Sequence, residues 1–181
     1  MSMPSSDKGR RPSGARRIAL SAMLASLALV FSYLEAILPW QSPVPGVKLG
    51  LANLVVLVAL YRMDAGYALA AGLVRVLLAG LLFSGLTGMI YSLAGSLLSF
   101  AVMLALKRTG LFSVLGVSLA GGVSHNMGQL LAAILTVSSP SLIAYAPVLI
   151  GSGMAAGILV GLGAFVLIGR LPARLFDQEA G

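Results

Sequence analysis

Six apolar runs, separated by short breaks rich in Gly, Pro and Ser, organise this chain. A run of roughly 17 to 25 residues is needed to cross the hydrocarbon of a bilayer, and a shorter one serves when buried among neighbours. The runs are Ile18 to Leu38, ended by Pro39; Val47 to Tyr61, which is short; Ala65 to Phe83; Leu86 to Leu106; Leu111 to Val137; and Tyr145 to Gly169. Breaks such as Gln41-Ser42-Pro43-Val44-Pro45-Gly46 and Ser138-Ser139-Pro140-Ser141 are brief, so consecutive runs should be antiparallel neighbours. The pattern predicts an all-α fold, an integral membrane bundle of six transmembrane helices over residues 15–172. A polar, basic tail at 1–14 is expected to be disordered, and a short tail follows at 173–181.

Composition turns that pattern into a membrane assignment. With 59% hydrophobic and 9% charged residues, the chain has too few polar side chains to cover a soluble globule of 181 residues. Its mean hydropathy of +1.01 agrees. A multi-pass protein of the cell membrane is expected. The absence of cysteine excludes disulfides, thiolate metal sites and a cysteine nucleophile. A net charge of +7 could suit nucleic acid, but most of it sits in short clusters beside the apolar runs, as in membrane orientation signals. With the N-terminus in the cytoplasm, Lys8, Arg10, Arg11, Arg16, Arg17, Arg62, Lys107, Arg108, Arg170 and Arg174 all fall on the inner side, and Lys48 is the outer exception. Both termini are therefore expected inside. A signal peptide competes for the first run, but that run is long for one, lacks an A-x-A cleavage site and is followed by five more.

The polar residues inside the runs carry the functional argument. Arg75 lies near the middle of its run, where a charge costs about 2.5 to 3.5 kcal/mol on insertion scales and usually faces protein or a watery cavity. At about 1.5 Å per helical residue, Glu35 falls near the outer end of the first run, and Lys48 and Asn53 in the outer half of the second. On the fifth run Ser118, Gly122, His125, Gln129 and Ala133 recur at helical spacing with Asn126 beside them; Ser92, Ser96 and Ser99, with Gly88 and Gly95, stripe the fourth. Small residues at such spacing are commonly packing positions between membrane helices, which applies equally to Ala15, Ala19, Ala22 and Ser26 and to Gly153, Gly157 and Gly161. A lone buried histidine is commonly an interhelical hydrogen bonder, and with no second His a zinc site is not expected. Yet His125, Asn126 and Gln129 offer more donors and acceptors than packing requires. Glu35 could pair with Arg75 or with Lys48. Either way one cation is left over, which points to a small anionic ligand entering from the outer side.

Absences narrow the chemistry. No Walker A sequence is present, so the chain has no P-loop with which to power transport. Aspartate occurs only at Asp7, Asp64 and Asp177, too dispersed for a magnesium–diphosphate cluster, and neither Asp64 nor Asp177 matches the depth of His125 for a Ser-His-Asp triad. Autonomous catalysis, a bound cofactor and a nucleic-acid partner are not expected.

Four segments, taken together, resemble a known family: Pro45-Gly46-Val47-Lys48-Leu49-Gly50-Leu51-Ala52-Asn53, Arg75-Val76-Leu77-Leu78, Ser92-Leu93-Ala94-Gly95-Ser96-Leu97-Leu98-Ser99 and His125-Asn126-Met127-Gly128-Gln129. They are similar to the membrane family called heptaprenyl diphosphate synthase component I, or Gx transporter, over about Arg17 to Gly169. That family in turn resembles the substrate-binding S components of energy-coupling factor transporters. The resemblance implies six helices and a site toward the outer face. The polar residues themselves suggest an outward-facing cavity lined by the second to fifth runs, in which Arg75 and Lys48 neutralise an anionic group while Asn53, His125, Asn126 and Gln129 orient the remainder, with Glu35, Ser92 and Ser96 nearby. The resemblance also implies that Ala15, Ala19, Ala22 and Ser26 meet a coupling subunit that carries two ATPases. The synthase label implies instead a non-catalytic partner of a prenyl diphosphate synthase subunit. A third possibility is a scaffold, in which Arg75 only pairs with Glu35 and no cavity exists.

Overall fold

The computed structural model describes residues 14–37 and 50–171, and among these every regular element is helical. In chain order they are α1 (Gly14–Ile37), α2 (Leu51–Arg62), α3 (Ala65–Ala79), a π-helical turn (Gly80–Ser84), α4 (Gly85–Thr109), α5 (Val114–Val137), a 3-10 turn (Pro140–Tyr145) and α6 (Ala146–Arg170). The all-α expectation holds. Three continuous helical stretches, Gly14–Ile37, Ala65–Thr109 and Pro140–Arg170, are long and apolar enough to cross a membrane, which is compatible with a multi-pass membrane protein.

The stretch from Ala65 to Thr109 is not one rod. Gly85 takes φ 70°, a conformation that L side chains rarely adopt, and reverses the chain. Gly80 and Met89 would stand about 13.5 Å apart along a straight helix. Instead, a Cβ placed on Gly80 would lie 2.6 Å from the Met89 side chain. Arg75 of α3 likewise reaches Ser96 of α4. The predicted third run to Phe83 thus ends as a π turn, a form that recurs at functional sites.

Helix α2 is the spine of the bundle. Its six consecutive residues Val55 to Leu60 are all buried, and Leu57 and Leu60 are fully enclosed together with Val76 of α3 and Val117 of α5. A helix apolar on every side belongs inside other helices, which explains how a 12-residue element persists here. Its first amide is held by a neighbour: Leu51 N donates to Glu35 Oε1 at 2.8 Å, satisfying one of the orphan donors of a helix start. The surrounding helices turn large apolar side chains outward, among them Leu81, Leu135 and Phe165, which is compatible with a lipid-facing surface.

Helices α5 and α6 touch backbone to backbone. A Cβ on Gly153 would sit 2.8 Å from the Gly122 carbonyl oxygen, and one on Gly157 would sit 2.7 Å from the Leu119 Cα. Ser118 Oγ donates to Gly157 O at 2.8 Å, and Asn126 Nδ2 donates to Leu149 O at 2.8 Å. Small residues that admit close approach, backed by interhelical hydrogen bonds, are the packing by which membrane helices associate without hydrophobic drive.

One end of the bundle is tied by basic residues. Arg17 of α1 pairs with Asp64 between α2 and α3 at 2.5 Å. Lys107 of α4 donates to Leu60 O near the end of α2, and Arg62 donates to Ile168 O and Leu171 O at the end of α6. Cations are favourable at helix C-termini, where carbonyls lack intrahelical partners. These contacts place the first turn of α1 with the last turns of α2, α4 and α6. The cavity described next opens among the opposite ends of α1 to α4.

Candidate functional site

A cavity with about 120 Å³ of space for water-molecule centres lies among all six α-helices. One water needs roughly 10 to 15 Å³ on that measure, so the space admits a small solute. Its polar lining comes from Ser32 and Glu35 of α1, Asn53 of α2, Arg75 of α3, Ser84 of the π turn, Ser92 of α4, and His125 and Asn126 of α5. Val76, Ala79, Phe83 and Met89 supply an apolar side.

Arg75 sits at the centre of this arrangement, only 8% exposed. Its Nη1 donates to Ser32 Oγ at 3.3 Å and its Nη2 to Ser96 Oγ at 3.4 Å, both long for hydrogen bonds. Its buried Nε has no hydrogen-bond partner. A guanidinium carries five donors in a planar fork, and two hydroxyls at the limit of reach leave most of that capacity unused. Among the described residues no carboxylate lies within ion-pair distance of it; the ion pair found there joins Arg17 and Asp64 at the other end of the bundle. Glu35 borders the same cavity but spends one oxygen on Leu51 N.

The remaining sequence-predicted residues separate into two groups. Asn53 and Ser92 line the cavity, and neither side chain forms a hydrogen bond among the described residues. Asn53 also borders two smaller voids, one beneath Arg75 against Ser96 and Phe100 and one against Ser118 and Ala156. Asn126 faces the cavity too, but its amide nitrogen is engaged by Leu149 O and by Ser152 Oγ at 3.1 Å, tying α5 to α6. Gln129 stands behind the lining, its Nε2 3.1 Å from His125 Nε2. Ser96 holds Arg75 from below rather than lining the main cavity. Lys48 lies outside the described residues. Ala15, Ala19, Ala22 and Ser26 are exposed along α1.

Gly95 explains why the serine stripe of α4 can approach the histidine segment. A Cβ there would fall 2.7 Å from the His125 carbonyl oxygen and 2.8 Å from Gln129 Cγ. The two quoted segments therefore meet at a point where only hydrogen fits.

A family model described as heptaprenyl diphosphate synthase component I matches residues 24–167. The chain belongs to that family. The match runs from α1 to α6 and takes in every lining residue named above. No curated protein and no solved structure matches the chain. For a component I protein, the description implies association with a prenyl diphosphate synthase partner. Among the described residues of this component I chain, no three His, Cys, Asp or Glu side chains gather where they could hold a metal ion. Glu35 and Asp64, its described carboxylates, lie at opposite ends of the bundle.

Sequence reasoning missed Ser32, Phe83 and Met89. Ser32 had a signal, since it precedes Glu35 by one helical turn and shares its face. Phe83 and Met89 had none, because the π turn and the reversal at Gly85 bring them to the cavity.

Proposed function

We propose that this component I protein is a solute-binding subunit of a membrane transport system, which holds a small solute through an anionic group at Arg75. The observation that carries this reading is the buried guanidinium whose Nε has no partner, bordering a cavity large enough for more than water. A charge kept at such depth is costly unless something occupies its donors, and a carboxylate or phosphate oxygen fits the fork. Ser92, Asn53 and His125 would orient the rest of the solute. The chain would cross the cell membrane six times as one bundle over 15–172, both termini inside, because the basic end then faces the cytoplasm and the cavity the outer side. The exposed small residues Ala15, Ala19, Ala22 and Ser26 of α1 would meet a coupling subunit, and ATP would be hydrolysed by its ATPases.

The family description favours a second reading, a non-catalytic membrane component beside a prenyl diphosphate synthase subunit. Affinity purification of the tagged chain from its own membranes separates the two. Recovery of a coupling subunit with ATPases, lost when Ala19 and Ala22 are both changed to Leu, is expected. Recovery of a prenyl diphosphate synthase alone would replace the transport reading with the second.

A further inference from the structure

Among the described residues the cavity is lined by two opposite charges that do not neutralise each other by contact. Arg75 and Glu35 both line it, yet they are not within ion-pair distance. Each has spare capacity. Arg75 keeps Nε unpartnered and makes only two long hydrogen bonds, to Ser32 and Ser96. Glu35 gives one oxygen to Leu51 N, and the other has no hydrogen-bond partner among the described residues. Arg75 is buried and Glu35 half-buried, and a charge withdrawn from water is costly unless it finds a counter-group.

We infer that the cavity selects a small zwitterion, a carboxylate and an ammonium group on one apolar body, over a plain anion; this rests on the solute-binding reading of the same cavity. A plain anion satisfies Arg75 but brings a second negative charge near Glu35 in a low-dielectric site, where like charges repel strongly. A diphosphate head, with more negative charge, meets the same carboxylate and fits worse. A zwitterion sets its carboxylate on the Arg75 fork and its ammonium on the second oxygen of Glu35, and adds no net charge at membrane depth. Val76, Ala79, Phe83 and Met89 then receive the apolar body. An amino acid with an apolar side chain has this chemistry and this size.

The test uses the full chain in lipid nanodiscs, with equilibrium binding of leucine and phenylalanine, of their deaminated carboxylates, of their decarboxylated amines, and of inorganic diphosphate. At least one amino acid is expected to bind about tenfold more tightly than its matched acid and its matched amine. Glu35→Gln keeps a carbonyl oxygen for Leu51 N, so the helix start survives, and it is expected to bring the amino-acid-to-acid ratio close to one. Equal or tighter binding of the matched acids or of diphosphate by the unaltered chain overturns the zwitterion and leaves an anion site. An unchanged ratio in Glu35→Gln overturns it as well, as does failure of every amino acid to bind. Whether any solute occupies the cavity is decided separately, by extracting the purified chain and identifying what it carries, so the two readings fail independently.

Discussion

At the scale of single residues, Arg75 and Glu35 do different work, and substitutions should separate them. Arg75 makes weak protein contacts and has donors to spare, so its loss should fall on binding more than on folding. Hydrogen bonds to charged groups contribute about 1.5 to 3 kcal/mol. Arg75→Ala should therefore weaken solute binding by roughly 10- to 100-fold while circular dichroism stays helical. Arg75→Lys should recover only part of it, because an ammonium is a point charge without the planar fork. Glu35 also supports the fold, since Leu51 N depends on it. Glu35→Ala should cost about 1 to 2 kcal/mol of stability, read as a lower melting temperature in detergent, whereas Glu35→Gln should stay near the parent. Arg75 was legible in the sequence because a charge inside an apolar run stands out; its relation to Glu35 was not, because depth along a helix says nothing of the side chain's rotation or reach.

At the scale of elements, the glycine seam between α5 and α6 sets the spacing on which His125 and Asn126 depend. Introducing a side chain at Gly157 meets Leu119 backbone atoms, which cannot swing aside. Gly157→Val should destabilise the fold by about 1 to 3 kcal/mol or more, seen as a lower melting temperature and poor extraction. Asn126→Ala removes the bridge to Leu149 O and should lower stability by about 1 to 2 kcal/mol, with a smaller effect on binding than Arg75→Ala. The spacing of Gly153, Gly157 and Gly161 made this seam readable in advance, since a four-residue repeat of small side chains marks one helix face. The π turn at Gly80–Ser84 was not readable. Its residues continue an apolar run, and only the contact of Gly80 with Met89 across the reversal distinguishes it from ordinary helix.

At the scale of the whole molecule, the basic ties at one end and the cavity toward the other give the bundle a polarity. The apolar runs predicted the all-α class, because period and length fix helices whatever their rotation; the runs could not tell that α2 is enclosed on all sides, which depends on how its neighbours pack. The absence of native cysteine lets the proposed orientation be checked cleanly. Single cysteines at Ser5 and at Ala180 should react with a membrane-impermeant maleimide only after the cells are opened, and one at Ser139 should react in intact cells. The most direct measurement of the account is the identity of the solute bound by the purified full chain. Mild extraction followed by mass spectrometry should find a small molecule with an anionic group at near-stoichiometric amount in the unaltered protein, and none in an equally folded Arg75→Ala. A well-folded unaltered protein that carries no such molecule, or an Arg75→Ala variant that retains it fully, would contradict the claim that Arg75 anchors a solute.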